Sequence, residues 1–182
     1  EEKKYSYKVN DVGNLENVIY QCPSCKHEGL ESNGSHLHCP QCLKDFPYDQ
    51  YGNIGGFRID ELYKAQELAM QNKIKSEDHF SLSKNVKLES IRNERVVEVG
   101  SGVLTLNKKE YIFKGVIDNN QTTLKFDVKN VSTLPSDIGI NVQIYEGDQL
   151  YQFIFNDPKC PTMFVHAGEF MYSEYKKSLE RN

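Results

Sequence analysis

Two Cys-x-x-Cys motifs constrain this chain more than anything else in it. Cys22-Pro23-Ser24-Cys25 and Cys39-Pro40-Gln41-Cys42 hold four of the five cysteines. Two cysteines three apart in a tight turn aim both sulfurs at one point, and two such turns supply the four thiolates of a tetrahedral zinc site at about 2.3 Å. Each motif contains a proline, which presets the turn and removes an N–H that would need a partner. Between the motifs, Asn33-Gly34 is a strong hairpin signal, since both residues tolerate the positive φ of a type I′ turn. A hairpin there folds the two motifs against one another. The stretch therefore reads as a zinc ribbon, with Cys22, Cys25, Cys39 and Cys42 as ligands of a structural Zn2+. In many zinc knuckles a glycine follows the second cysteine; here Lys26 and Leu43 stand in those places.

Other uses of the cysteines fit less well. A disulfide framework belongs to small secreted chains, and no signal-like apolar segment occurs here. A redox Cys-x-x-Cys needs a single pair on a βαβ unit. Catalytic zinc needs an open coordination position, which four thiolates fill. His27, His36 and His38 lie close enough in sequence to replace a cysteine as ligand, His38 first among them, but a complete four-cysteine set needs no substitute. Cys160, left over, reads as a small half-buried side chain.

The chain has 182 residues, enough for one large or two small domains. Its formal net charge is −4, a poor balance for binding a phosphate backbone, so no nucleic-acid partner is expected. Residues 1–57 carry five lysines against eight acids, whereas a nucleic-acid ribbon would be basic near its tip. No apolar run approaches the ~20 residues needed to cross a bilayer. Thiols arranged for a metal imply a reducing compartment, the cytoplasm or the cytoplasmic face of a membrane. The opening Glu1-Glu2-Lys3-Lys4, without a methionine, suggests a piece of a longer polypeptide.

In order along the chain, residues 1–17 read as a polar tail or edge strand, and Val18-Ile19-Tyr20 as a short strand into the first motif. Phe46, Tyr48 and Tyr51 offer apolar side chains to the ribbon. Gly52, Gly55 and Gly56 punctuate its end, giving a first domain at 1–57. Ile59, Leu62, Tyr63, Met70 and Ile74 recur at helical spacing behind Asp60 as N-cap, giving a connecting helix within 58–80. Residues 81–182 then alternate with period two. Seven strands are predicted: Val86–Ser90, Arg95–Val99, Val103–Leu106, Tyr111–Ile117, Leu124–Val128, Ile140–Tyr145 and Leu150–Phe155. Turn residues separate several of them, at 107–109, 118–120 and 146–148. A closing helix over Thr162–Leu179 presents Phe164, Ala167, Met171, Tyr175 and Leu179 on one face, with Gly168 costing about 1 kcal/mol in its first half. The fold class is α+β: a ribbon, a connecting helix and an antiparallel β domain closed by a helix. Seven antiparallel strands followed by one helix resembles the order of pleckstrin-homology-like or GRAM-like domains.

The ribbon ending Asp49-Gln50-Tyr51-Gly52-Asn53-Ile54, the helix start Ile59-Asp60-Glu61-Leu62-Tyr63 and the stretch Gly102-Val103-Leu104-Thr105-Leu106 before Lys114-Gly115 together resemble the C-terminal accessory region of bacterial 1-acyl-sn-glycerol-3-phosphate acyltransferase-like proteins. The resemblance covers about residues 18–175, and only its four cysteines are specific. It implies that acyl transfer, resting on a His-x-x-x-x-Asp pair, belongs to a domain preceding the ribbon. None of His27, His36, His38, His79 and His166 has an aspartate five positions on.

Other chemistry is sparse. No phosphate-cradling loop, nucleophile elbow or His-Glu-x-x-His is present. Asp45 with Asp49, or Glu77 with Asp78, are pairs that 26 carboxylates produce by chance. The chain is expected to be non-enzymatic and to serve a linked acyltransferase domain or a protein partner, with peripheral membrane contact. Lys108 and Lys109, at a hairpin tip, are the candidate lipid-binding residues, through lipid phosphates. A free-standing zinc-ribbon adaptor is the alternative.

Overall fold

A computed structural model describes residues 13–180. The tail or edge strand expected over 1–17 therefore lies outside the described residues up to residue 12; Leu15–Asn17 form a single 3-10 turn. The chain divides into two compact units, residues 1–69 and 70–182, with the division inside a helix.

The first unit is built from short pieces. A three-stranded antiparallel sheet takes β1 (Glu31–Asn33), β2 (His36–Cys39) and β3 (Lys44–Pro47) in that order. A small hairpin follows, β4 (Asn53–Ile54) and β5 (Phe57–Arg58), and runs into helix α1 (Ile59–Ser76). The β1–β2 hairpin forms as expected, displaced by one residue. Asn33 pairs with His36, so the turn is Gly34-Ser35 and only Gly34 takes positive φ, at 60°. A two-residue turn with glycine first needs just that one left-handed position. Asp60 is inside α1 rather than its cap. Its carboxylate takes the Arg58 guanidinium at 2.9 Å, while Glu61 reaches back to accept the Arg58 N–H at 3.2 Å. That reach-back satisfies one of the orphan donors at a helix start.

The second unit is a seven-stranded antiparallel sheet and one helix. Its strands are β6 (Ser81–Arg92), β7 (Arg95–Asn107), β8 (Glu110–Ile117), β9 (Asn120–Asp127), β10 (Ser136–Asp137), β11 (Asn141–Glu146) and β12 (Gln149–Phe155). They lie in the order β10-β11-β12-β6-β7-β8-β9, and helix α2 (Cys160–Leu179) follows the last. The strand count agrees with the sequence, but its composition differs. The stretches Arg95–Val99 and Val103–Leu106 are one strand, β7, and β10 has only two residues.

Glycines join those two stretches. Gly102 stands opposite Gly115 on β8. A Cβ on Gly102 would lie 2.6 Å from the Gly115 Cα, and one on Gly115 would lie 2.2 Å from the Ser101 carbonyl oxygen. The two backbones approach too closely for a side chain, a recognised use of glycine within a strand. Nearby the β6–β7 register shifts: Leu88 faces Gly100 while Glu89 faces Glu98, leaving Val99 as an extra residue that bends the ribbon.

Phe113, Phe126, Phe153 and Phe155 face inward from this sheet, with ring centroids of neighbours 5.8 and 6.2 Å apart and Phe155 5.0 Å from Phe164 of α2. The helix runs unbroken through Gly168, where a Cβ would lie 1.9 Å from the Tyr111 hydroxyl oxygen. Glycine there admits a fully buried tyrosine. No helix among the described residues is long and apolar enough to cross a membrane.

Candidate metal centre

The two Cys-x-x-Cys motifs fold into matching turns. In the first, Lys26 N–H donates to the Cys22 carbonyl at 3.0 Å; in the second, Leu43 N–H donates to the Cys39 carbonyl at 2.9 Å. Lys26 has φ 66° and Leu43 φ 58°, so the two non-glycine residues take the left-handed conformation that glycine provides more cheaply. The Cys25 N–H lies 3.5 Å from the Cys22 sulfur, inside the turn. The second motif is the link between β2 and β3, while the first is closed by the Cys22 N–H donating to the His27 carbonyl at 2.9 Å.

The turns bring the sulfurs together crosswise. Cys22 Sγ lies 3.7 Å from Cys42 Sγ, Cys25 Sγ lies 3.6 Å from Cys39 Sγ, and all four are within 4.8 Å of one another. Four thiolates around a tetrahedral ion at about 2.3 Å have edges of roughly 3.8 Å. A disulfide would require about 2.05 Å. The four-cysteine donor set thus fits a metal ion in shape. It fits in charge as well. Burial raises the Cys22 thiol, and it pushes Cys42 up to about 12 with neighbouring sulfurs adding to the effect. At Cys39 burial acts upward too, but the N–H groups of Cys42 and Gln41 and the sulfurs around it outweigh burial and bring it to about 7. Four crowded sulfurs cannot all be anionic unaided, and a bound cation removes that conflict.

The cluster is also a wall of the unit's core. Cys22 and Cys39 are fully buried among Ile19, Leu30, Leu37, Phe46 and Ile54, while Cys25 is exposed and Cys42 intermediate. Phe46 and Tyr48 supply this core as the sequence suggested; Tyr51 does not, being exposed. One contributor was missed. Gln66 of α1 is buried, donating from Nε2 to the Val18 carbonyl at 2.5 Å and accepting at Oε1 from the Tyr20 and Gln21 N–H groups at 3.1 and 3.3 Å. It fastens the segment entering Cys22 to the helix. Its signal was a polar residue four places from both Leu62 and Met70, on the apolar stripe.

Among the described residues no histidine joins the four-sulfur cluster. His36 and His38 share the face of β2 opposite Leu37 and Cys39. His38 Nδ1 lies 2.7 Å from Asp45 Oδ1, and His36 Nε2 lies 3.5 Å from the same oxygen. The hydrogen bond from His38 holds the Asp45 carboxyl below its usual range. Asp49 is occupied in its own turn, accepting from the Tyr51 and Asn53 N–H groups. His79 is exposed in a turn. In the second unit Lys108 and Lys109 form the exposed two-residue turn between β7 and β8, held by Asn107, which accepts from the Lys109 N–H at 2.8 Å.

No protein-family model and no curated protein matches this chain. Among solved structures it is similar to an SsgA-like sporulation-specific cell division protein from Thermobifida fusca. That likeness has TM-score 0.30 and 13% identity, covering 58% of this chain and 98% of the other, too slight to carry an argument.

Proposed function

We propose that this chain is a non-catalytic zinc-binding module. In this reading it is the accessory part of a glycerophospholipid acyltransferase-like protein, which it positions on a membrane or a protein partner in the cytoplasm. The observation that carries the reading is the convergence of four sulfurs from two matched turns. Zinc is the ion that a four-thiolate tetrahedron favours, and a site filled by protein ligands is structural. When bound, zinc would cross-link the first unit through Cys22, Cys25, Cys39 and Cys42. The strand order, with three strands on one side of β6 and three on the other and a helix after the last, supports a pleckstrin-homology-like or GRAM-like second unit. Such a domain offers surface rather than chemistry.

Two experiments test the proposal. Zinc content measured on the purified chain is expected to be one per chain, and Cys39→Ser is expected to abolish it while the β unit stays folded. Full zinc in that variant, with unchanged stability, would overturn the four-cysteine assignment. The acyltransferase link is tested on the coding sequence upstream of Glu1. A preceding segment with a His-x-x-x-x-Asp motif supports it, and a native product beginning at Glu1 would leave a zinc-ribbon adaptor.

A further inference from the structure

The end of the β unit that carries the β7–β8 turn gathers positive charge against the average of the chain. Two adjoining clefts, about 290 and 260 Å³, share Lys108, Met171 and Tyr175. Lys75 lines the first, and Lys109 and Lys129 line the second. The carboxylates at these clefts are engaged, Asp127 with Lys129 at 2.9 Å and Glu174 with Lys177 at 2.8 Å. Lys75, Lys108 and Lys109 have no carboxylate partner among the described residues, in a chain whose formal net charge is −4. The Lys75 ammonium lies 5.2 Å over the Phe170 ring.

An apolar ridge runs between the clefts and out of the fold. Met171, Tyr175 and Leu179 recur every fourth residue of α2 and so share one face. Met171 is 6% exposed, Tyr175 36% and Leu179 57%. Core packing explains the first of these and not the last. Tyr172 lies against Tyr175 with ring centroids 6.3 Å apart. Tyrosine and leucine on a ridge bordered by lysines, whose alkyl stems lie along apolar surface while their ammonium groups reach outward, match the chemistry of a lipid headgroup layer.

We propose that this surface docks on a bilayer containing anionic phospholipid. Tyr175 and Leu179 enter the headgroup region, and Lys75, Lys108 and Lys109 take lipid phosphates. The inference deepens the positioning role proposed above and rests on it. A small free anion is less well served, because the lysines spread over two clefts and no arginine among the lining residues offers a bidentate fork.

The test is co-sedimentation of the 182-residue chain with phosphatidylcholine vesicles, with and without phosphatidylglycerol, at low and high salt. Binding is expected on the mixed vesicles alone and weakens as salt rises. Lys108→Ala with Lys109→Ala is expected to lower the partition coefficient about tenfold or more, the worth of two lysines near an anionic surface. Leu179→Ser is expected to lower it less and to leave the salt dependence unchanged. All three side chains are exposed, and matching thermal unfolding confirms that the variants fold. Equal binding to both vesicles, binding to neither, or an unaltered double-lysine variant overturns the proposal. So does saturable binding of inorganic phosphate in the clefts without vesicle partition, which would assign them to a free anion. Zinc content keeps the two readings apart. Failure to bind vesicles at one zinc per chain removes only this docking surface, whereas a zinc-free native protein removes the module itself.

Discussion

The two units of this chain hold themselves together by different means. Among the described residues of the first, the longest strand has four residues, and two of the core positions are cysteines that also converge on the candidate metal centre. In the second, two neighbouring strands have 12 and 13 residues, and an aromatic interior is closed by a 20-residue helix. A unit too small to bury much apolar surface needs a staple, and a metal ion supplies one. The larger unit buries a continuous aromatic and aliphatic interior and needs no such staple. The contrast predicts that each unit can be damaged while the other stands.

The largest expected effect is on the small unit. Structural zinc supplies about 10–16 kcal/mol in zinc-finger peptides, more than a unit with so small a core retains without it. Adding a chelator, or replacing Cys39 with serine, is therefore expected to erase amide protection across residues 18–58 while protection in β6–β9 persists. Hydrogen exchange followed by mass spectrometry reads both at once. Simultaneous loss in both units would show that they unfold as one, and the contrast would fail.

The converse break is at Gly115. A methyl group there meets the Ser101 carbonyl oxygen and the Gly102 Cα, both backbone atoms that cannot rotate away. Gly115→Ala is expected to cost about 3 kcal/mol, lowering the thermal midpoint of the β unit while zinc content stays at one per chain. A drop in zinc content would mean that the bend in the sheet also supports the metal centre.

A third effect, near 2 kcal/mol, depends on pH. His166 is buried in α2, and burial lowers its pKa from its usual 6.5 to about 4. A depressed folded-state value means that the unfolded chain takes up the proton first. The stabilising contribution is therefore complete above about 6.5 and is lost as pH falls toward 4. Between pH 6.5 and 5 the β unit is expected to lose about 2 kcal/mol, measured by denaturant midpoints followed through its tyrosines. In His166→Gln that slope should vanish. A slope that survives the substitution would place the titration elsewhere.

Sequence reached these features unevenly, for physical reasons. Cysteine spacing is a direct statement of geometry, because two sulfurs in one turn have few places to go. Strand alternation was readable wherever one face is buried, as in Tyr111 and Phe113. The break assigned between Val99 and Val103 was wrong because glycine has two uses in a sheet, turning a chain and letting two backbones touch. Only the partner strand distinguishes them, and Gly115 was not known to face Gly102. Ser136–Asp137 has no apolar alternation and was invisible for that reason. Gly168 looked like a weak point in a helix until Tyr111 occupied the space beside it. Gln66 fell on the right face with the wrong polarity, a mismatch that could have been read as a buried hydrogen-bonding role.

The smallest expected effect compares the two Cys-x-x-Cys turns with their glycine-bearing form. Leu43 is 75% exposed and has φ 58°, so its side chain contributes little packing while its backbone bears the cost of a left-handed residue. That cost is about 1–2 kcal/mol, and glycine removes it at the expense of about 0.5–1 kcal/mol in unfolded-chain entropy. Leu43→Gly is expected to raise the stability of the zinc-loaded first unit by up to about 1.5 kcal/mol. Leu43→Ala keeps the unfavourable φ and should give no gain, which separates backbone relief from the mere loss of an exposed apolar side chain. The readout is the chelator concentration needed to strip zinc from each variant. If alanine and glycine shift it equally, the benefit lies in the side chain and the turn is not strained. If only glycine does, the second turn holds its sulfurs in place against a backbone preference, and the bound ion maintains that conformation.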